Sequence, residues 1–482
     1  MESLIPTIKR LSEDDYKSLL ESISTNKFSK PYIVLEAARH KDLTDAQMIE
    51  VLDVNPNTYY TIKSRLNGKV AALLSKKVDN PISVLMDEVT RVPANLYGTN
   101  KQMSIRALKE IEKQLLEYDL SNELIIVYRT LARLYMYSPE FNHYERLYNK
   151  FVAFSLASAK AESLYYDFIL KVGMYELNRE PESLEEIEST LRELSNISEL
   201  YNSHRLFVYF NIARMYYLFI TAPGPEALMQ KEMEIDKTMT EVNAVFEKYP
   251  LDTFYNTIKF IVDALYFEYY QKIKNQVRAK HYYKIIIHEL PELSMHHILN
   301  FHVVKILESK IGFFLFTKDE KILKDLNEVL AQSLYIEKDE IYNFVSYQKY
   351  VAIVKFYEGD YAVSARILNN LRNVINMKSL YHLEVECKLF LALQYALLNE
   401  EDVCNQLINN VSRVIREDKD DYKNIKAFIK LIKASLKTMD LPKKKRKIAT
   451  LWDAFRLKNI GTSAIMPYLQ LDAKMINRLA NH

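Results

Sequence analysis

Apolar residues recur every three or four positions along most of this chain, and short polar turns separate the runs that they form. The turn "EGDY" at 358–361 shows the pattern on both of its sides. The positions on these two stripes are Tyr350, Ile353, Val354 and Tyr357 before it, and Ala362, Ala365, Leu368, Leu371 and Val374 after it. This spacing is that of amphipathic α-helices, so we predict a helical hairpin here. With 7 Gly and 13 Pro in 482 residues, the whole chain is predicted to be all-α.

Turns of this kind recur with a regular period. They lie near 98, 140, 180, 223, 275, 318, 359, 400 and 442, so that successive steps are 42, 40, 43, 52, 43, 41, 41 and 42 residues. Each unit is predicted to hold two antiparallel helices, and a helical pair of this size buries its apolar face only by stacking on its neighbours. The sequence therefore predicts an α-solenoid over 95–482, with an extended helix or an inserted segment in the 52-residue step.

The piece "YVAIVKFYEGDYAVSARILNNL" resembles a tetratricopeptide repeat. Gly359, Asp360 and Tyr361 stand at its turn, and the small residues Ser364 and Ala365 stand where the second helix approaches the first. The other units lack the full signature and exceed the usual 34-residue period, so the array is tetratricopeptide-like. This resemblance implies a binding scaffold whose concave groove takes a peptide or protein partner, or mediates dimerisation.

The N-terminal stretch "LTDAQMIEVLDVNPNTYYTIKSRLNGKV" at 43–70 carries a different pattern. Thr44 and Gln47 form a capping box, which predicts a helix from about Asp45 to Leu52. After a turn at 53–54, Asn55 is a good N-cap and Pro56 suits the first helical position. The residues predicted to face inward from the second helix are Tyr59, Ile62, Leu66, Val70 and Leu73. The apolar run at 31–38 supplies a third helix.

This order resembles the helix-turn-helix of bacterial transcription regulators and sigma-factor-like domains. The matching positions are Ile49, Leu52, Val54, Asn55, Thr58 and Tyr59. Asp53 departs from the pattern, because it stands where these domains usually have Gly; Asp tolerates the left-handed conformation better than most residues. The resemblance implies a DNA-binding domain over 1–80.

The inward stripe leaves a set of side chains that must point outward. In the helix-turn-helix motif such positions meet the major groove, and here they are Asn57, Tyr60, Thr61, Ser64 and Arg65. Thr58, Lys63 and Lys69 are placed for phosphate contacts. From Val54 to Val78 there are five basic residues and no acidic residue, although the whole chain has a net charge of only +2. The positive charge is thus concentrated on the candidate recognition helix.

These features predict a cytoplasmic, bacterial DNA-binding regulator with a C-terminal sensor or dimerisation array. The layout is similar to that of peptide-sensing regulators of the Rgg and PlcR type, although their DNA-binding domain has a different helical pattern. A homodimer would place the DNA-binding domains of its two protomers on two half-sites. The alternative is a non-enzymatic interaction scaffold whose N-terminal helices cap the array.

Other chemistry finds little support in the sequence. We expect no enzyme activity, cofactor or metal: phosphate-loop, dinucleotide and nucleophile-elbow motifs do not occur, and five of the ten histidines cluster at 281–302 without metal-ligand spacing. Cys387 and Cys404 fall in apolar helical pattern and are predicted to be buried thiols. Apolar runs are too short for a membrane span. "PKKKRK" at 442–447 is read as a solvated turn, with phosphate or partner contact and nuclear import left as alternatives.

Overall fold

The computed structural model describes residues 8, 13–23, 29–41, 43, 45–76, 81–97, 100–250, 252–415, 422–461 and 464–481. Thr44 of the predicted capping box, the side chain of Leu73 and most of the predicted turn near 98 lie outside the described residues. Every regular element among the described residues is helical, which confirms the all-α prediction. Contacts divide the chain into two compact units, Met1–Gln114 and Leu115–His482, whereas the sequence suggested domains over 1–80 and 95–482.

Among the described residues, the first unit has five α-helices with defined bounds and the start of a sixth. They are α1 (Glu13–Ile23), α2 (Lys30–His40), α3 (Asp45–Leu52), α4 (Pro56–Lys76), α5 (Pro81–Arg91) and, after a 3₁₀ segment at Val92–Tyr97, α6 (Lys101–Glu117). Helices α1 and α2 pack on α4, and α2 also contacts α3. Tyr59, Leu66 and Val70 are buried in the core that these helices enclose, so the predicted inward stripe of α4 is confirmed at these positions.

The second unit continues as a succession of helices. They are α7 (Ser121–Leu134), α8 (Glu140–Asn178), α9 (Pro181–Leu200), α10 (His204–Thr221), α11 (Pro225–Gln230), α12 (Glu232–Lys248), α13 (Thr253–Lys272), α14 (Gln276–Leu293), α15 (Asn300–Thr317), α16 (Glu320–Lys324), α17 (Asn327–Ser333), α18 (Ile341–Tyr357), α19 (Tyr361–Val374), α20 (Tyr381–Leu397), α21 (Glu401–Val414), α22 (Lys423–Ser435), α23 (Leu441–Lys458) and α24 (Ala473–Ala480). The eight predicted turns from 140 onward all fall at or between helix ends. The short helix α11 accounts for the longer step after 223.

The hairpin around 359 forms as the repeat resemblance implies. Gly359 has φ +86°, a conformation that favours glycine, and the Asp360 side chain accepts a hydrogen bond from the Val363 N–H at 3.1 Å. Ser364 is fully buried, and its hydroxyl donates to the Ala352 carbonyl at 2.6 Å. Forty residues later, the Cys404 thiol donates to the Ala392 carbonyl at 3.2 Å. Cys404 therefore occupies in the next hairpin the position that Ser364 occupies in this one.

Helix α8 departs from the predicted pairing of helices. Two helices were expected between the turns at 140 and 180, but one helix of 39 residues fills the whole interval. Its middle, "SLASAKAES", contains no Pro or Gly and is rich in Ala, with Leu, Lys and Glu as further good helix formers, so nothing interrupts the helix there. The N-terminal half packs on α7, and the helix also contacts α18 and α20, which lie some 200 residues later. This long helix therefore joins the start of the second unit to its later hairpins.

Candidate nucleic-acid interface and interior cavity

The turn between α3 and α4 is short and contains one left-handed residue. Asp53 adopts φ +47°, the left-handed conformation usually reserved for Gly at this position. The Asn55 side chain accepts a hydrogen bond from the Thr58 N–H at 2.8 Å, and Pro56 is the first residue of α4. The departure from the family pattern at Asp53 is thus accommodated by the residue itself.

The side chains expected to point away from the core are exposed in the structure. They are Asn57, Thr58, Tyr60, Thr61, Ser64 and Arg65. The Tyr60 residue is 45% exposed, next to Tyr59, which is 1% exposed, so α4 separates its two faces sharply. The Thr61 hydroxyl donates to the Asn57 carbonyl at 2.8 Å and is held close to the helix. These residues form the outward face of α4, and their contact with DNA stays a prediction.

Two predicted phosphate contacts are engaged elsewhere. Lys63 is buried at 8% exposure, and its ammonium donates to both carboxylate oxygens of Asp45 at 2.9 and 2.8 Å. Lys63 therefore points inward to Asp45, whereas the sequence had placed it for a phosphate contact. Helical periodicity does not predict the burial of Lys63, because Lys63 is not one of the apolar stripe positions. It lies beside Ile62, at the edge of the stripe, and its long side chain reaches Asp45 of α3. Lys69 is exposed, but its ammonium donates to the Ser22 carbonyl at 2.7 Å, at the end of α1.

Asp45 ties the two helices of the motif together. Besides Lys63, it accepts a hydrogen bond from the Tyr59 hydroxyl at 2.7 Å. Partial burial acts to raise the pKa of Asp45, but the hydrogen bonds from Lys63 and Tyr59 and the charge of Lys63 outweigh it and lower this pKa. The carboxylate is therefore ionised at neutral pH and holds α3 against the first turns of α4.

The second unit has a partly open cavity, lined by several charged residues, beside the end of α8. Its volume is about 390 Å³. The lining residues come from α8, α13, α15, α18, α20 and the non-helical segment before α24, and they include Glu176, Arg179, Glu268, Lys305, Glu308, Tyr342, Lys349, His382, Glu386 and Tyr468. Helix α8 reaches this position because Gly173 lies against Tyr342: a Cβ atom at residue 173 would be 2.7 Å from Tyr342 Cγ.

Most of the charged side chains that line the cavity are paired with each other. The Lys305 ammonium is 2.8 Å from Glu176 Oε1, and the Lys349 ammonium is 2.6 Å from Glu386 Oε2. Burial favours the neutral carboxyl group, but the charge of Lys305 outweighs it and lowers the pKa of Glu176 to about 2. Burial lowers the pKa of His382 to about 4, and the charges of Arg179 and Lys349 act in the same direction. His382 is therefore neutral at pH 7 and can donate or accept a hydrogen bond.

Arg179 is the lining cation with unused hydrogen-bonding capacity. It follows the last residue of α8 with φ 58°, and its guanidinium lies 5.4 Å from the centre of the Tyr175 ring. Its Nε–H is buried and has no hydrogen-bond partner among the described residues. A buried donor of this kind is costly unless something accepts from it. The cavity can thus offer a cation to a small anionic group.

His302, Cys387 and Cys404 are buried in the packed interior of the second unit. His302 is buried between two tyrosines, with Tyr216 Oη 2.7 Å from Nδ1 and Tyr165 Oη 3.3 Å from Nε2, and burial lowers its pKa to about 3. Cys387 and Cys404 are buried free thiols, as predicted, and burial raises the pKa of each to about 12. Within the described residues, no group of three or more His, Cys, Asp or Glu side chains is placed to hold a metal ion. No helix in this part of the chain is long and apolar enough to cross a bilayer.

Sequence reasoning did not find the cavity. Glu176, Lys305 and Lys349 are far apart in the chain, and each lies in a helix whose other residues are mostly apolar. A buried charge in such a helix is one available signal, because charged residues are rarely buried without a partner. Comparison of the chain with family models, with curated proteins and with solved structures finds no match.

Proposed function

We propose that this protein is a DNA-binding transcription regulator. In this proposal α3 and α4 form a helix-turn-helix that reads the major groove, and the second unit is a tetratricopeptide-like array that binds a peptide or mediates dimerisation. The observation that carries it is the α3–α4 turn, with Asp53 left-handed, Asn55 as N-cap and a polar outward face on α4. That combination presents hydrogen-bonding side chains at the start of a helix, where recognition helices contact base edges.

The interior cavity supports a ligand-binding role for the second unit. Its volume suits a short peptide or another small molecule rather than a folded partner. Arg179 is the residue we assign to the ligand's carboxylate, because its guanidinium has a free buried donor. A ligand held there would contact α8, α18 and α20 together and change how these helices pack.

The test is DNA binding at two salt concentrations. Genomic fragments are titrated with the wild-type protein and with Arg65→Ala, and Arg91→Ala serves as the control because Arg91 is exposed on α5 of the same unit. Loss of one base contact is expected to weaken binding to the preferred fragment by about 5- to 100-fold, equivalent to about 1–3 kcal/mol. Arg91→Ala should bind as the wild type does. If the wild type shows no salt-dependent preference for any fragment, the proposal is wrong.

A specific observation favours the alternative, an interaction scaffold with an N-terminal helical cap. Lys63 and Lys69 are engaged within the first unit, so α4 has fewer cations available to phosphates than its composition suggests. On this alternative, a protein partner is recovered in stoichiometric amount, and substituting Asn57, Thr61 and Arg65 leaves DNA binding at background and the partner bound.

A further inference from the structure

The last helical hairpin of the chain is strongly basic. Between Lys423 and Lys458 there are twelve Lys and Arg residues and only two acidic residues, Asp440 and Asp453, whereas the chain as a whole has a net charge of +2. The hairpin therefore carries +10 and the remainder of the protein −8. This imbalance is larger than the one on α4, and it lies in the second unit.

The positive charge is arranged along one face of α22. Lysines at 423, 426, 430 and 433 recur every three or four residues on α22, Lys437 follows two residues after its end, and all five are exposed. The opposite face is apolar and buried, with Phe428 and Ile432 fully inside the protein. At the other side of the turn, Lys443, Arg446 and Lys447 are exposed on the first turns of α23.

Acidic residues at 417, 418, 420 and 421 precede α22 in the sequence. We therefore define the basic surface by six residues at the opposite, turn end of the hairpin: Lys430, Lys433, Lys437, Lys443, Arg446 and Lys447. Position 430 lies seven residues after the first residue of α22, which corresponds to about 10 Å along the helix.

Opposite charges lie one turn apart on other helices of the second unit, as in Asp167 with Lys171 at 2.7 Å. On α22 the exposed neighbours at 430 and 433 are both lysines, and like charges at this spacing destabilise a helix. An exposed surface needs polar residues for solubility, but it does not need a single sign of charge. A polyanionic partner would offset this repulsion.

We propose that the basic surface binds the phosphate backbone of duplex nucleic acid. Lys430 and Lys433 lie about 5 Å apart along α22, and Lys437 follows its end, so these cations are spaced to meet neighbouring phosphates of a uniformly charged duplex. A membrane is less well matched: an amphipathic helix binds lipid through its apolar face, and that face of α22 is buried in the protein core. The contact is independent of sequence, because lysines at phosphates carry no base information. It does not require that the first unit read DNA.

The experiment uses the full-length chain and a fluorescein-labelled, mixed-sequence 30-base-pair duplex. Binding is followed by anisotropy between about 50 and 200 mM salt for the wild type and for the triple variant Lys430→Gln, Lys433→Gln, Lys437→Gln. The matched control is Lys160→Gln, Lys237→Gln, Lys324→Gln, which removes three exposed lysines that each lie beside a glutamate. Circular dichroism verifies that all three proteins fold. A second variant, Lys443→Gln with Arg446→Gln and Lys447→Gln, tests the surface from α23.

Each α22 or α23 variant is expected to weaken binding by at least about 10-fold at the lower salt concentration and to reduce the slope of log affinity against log salt by about 3. The control should change neither quantity. Equal effects of the control and the basic-surface variants would overturn the proposal. So would loss of binding to phosphatidylserine vesicles in these variants with duplex binding unchanged, because the surface would then belong to a membrane. Failure of the helix-turn-helix proposal would give a different result. In that case Arg65→Ala would leave the preference among DNA fragments unchanged, while the basic-surface variants would still lose salt-dependent binding.

Discussion

Lys310 shows how a single side chain is governed by its surroundings. It is 1% exposed in α15, and its ammonium donates to Tyr350 Oη at 2.9 Å, to Asn327 Oδ1 at 3.2 Å and to the Asp325 carbonyl. None of these acceptors is a carboxylate, so burial dominates and lowers the pKa of Lys310 to about 8. From its sequence alone, this lysine in "VVKILESKIGFF" resembles any polar interruption of a helix.

The lowered pKa of Lys310 makes stability depend on pH. Between about pH 8 and the unfolded lysine value of about 10.4, the unfolded chain binds more protons at this site than the folded one. The free energy of unfolding should therefore rise by about 1–2 kcal/mol from pH 7.5 to 9.5 through this residue. Urea titrations at both pH values measure it. Lys310→Met should lose this increment, and Lys237→Met, at an exposed site, should keep it. Identical pH dependence in wild type and Lys310→Met would contradict the assignment.

At the scale of elements, α8 depends on one close contact. The helix passes Tyr342 with no room for a Cβ atom at residue 173, and the same approach brings Glu176 within 2.8 Å of the Tyr342 hydroxyl. A glycine inside a helix normally weakens it, so its presence here is explained by the neighbouring helix rather than by α8 itself.

Gly173→Ala is expected to destabilise the second unit by about 1–3 kcal/mol, because the added methyl group forces α8 and α18 apart. The chain has a single tryptophan, Trp452, which is buried in the second unit, so its fluorescence in a urea titration reports this change. Gly68→Ala provides the control. A Cβ atom at residue 68 has open space within α4, and this substitution should stabilise the helix by about 0.5–1 kcal/mol. An unchanged Trp452 midpoint in Gly173→Ala would show that the helices separate without cost.

At the scale of the whole molecule, the chain forms two compact units with separate hydrophobic cores. The ion pair between Asp45 and Lys63 belongs to the first unit, and Trp452 belongs to the second. Units with their own cores can unfold in separate steps, so a probe of one need not follow the other.

Asp45→Ala should affect the first unit alone. Removing the carboxylate leaves the Lys63 ammonium and the Tyr59 hydroxyl without their acceptor, at a cost of about 1–2 kcal/mol, since Asp45 is partly exposed. Part of the unfolding transition followed by circular dichroism should move to a lower urea concentration. The midpoint of the transition followed by Trp452 fluorescence should not change. Glu50→Ala, at an exposed position of the same helix, is the control. A parallel shift of the Trp452 transition would mean that the two units unfold as one.

Local patterns were sufficient for much of this structure. The all-α class, the turns from 140 onward, the helix from Asp45 to Leu52 and the buried stripe of α4 all depend on contacts within a few residues, where helical periodicity, capping and turn residues act. The same local rules anticipated the left-handed Asp53 and the close approach at Ser364.

Tertiary structure decided what depends on residues distant in the sequence. The periodic turns did not reveal that α8 continues unbroken, because its partners on α18 and α20 lie more than 150 residues away. The inward turn of Lys63 and the unused donor of Arg179 likewise depend on which groups lie opposite them. Periodicity specifies which face of a helix is apolar, but the packing of that helix determines which charges are paired, buried or left for a partner.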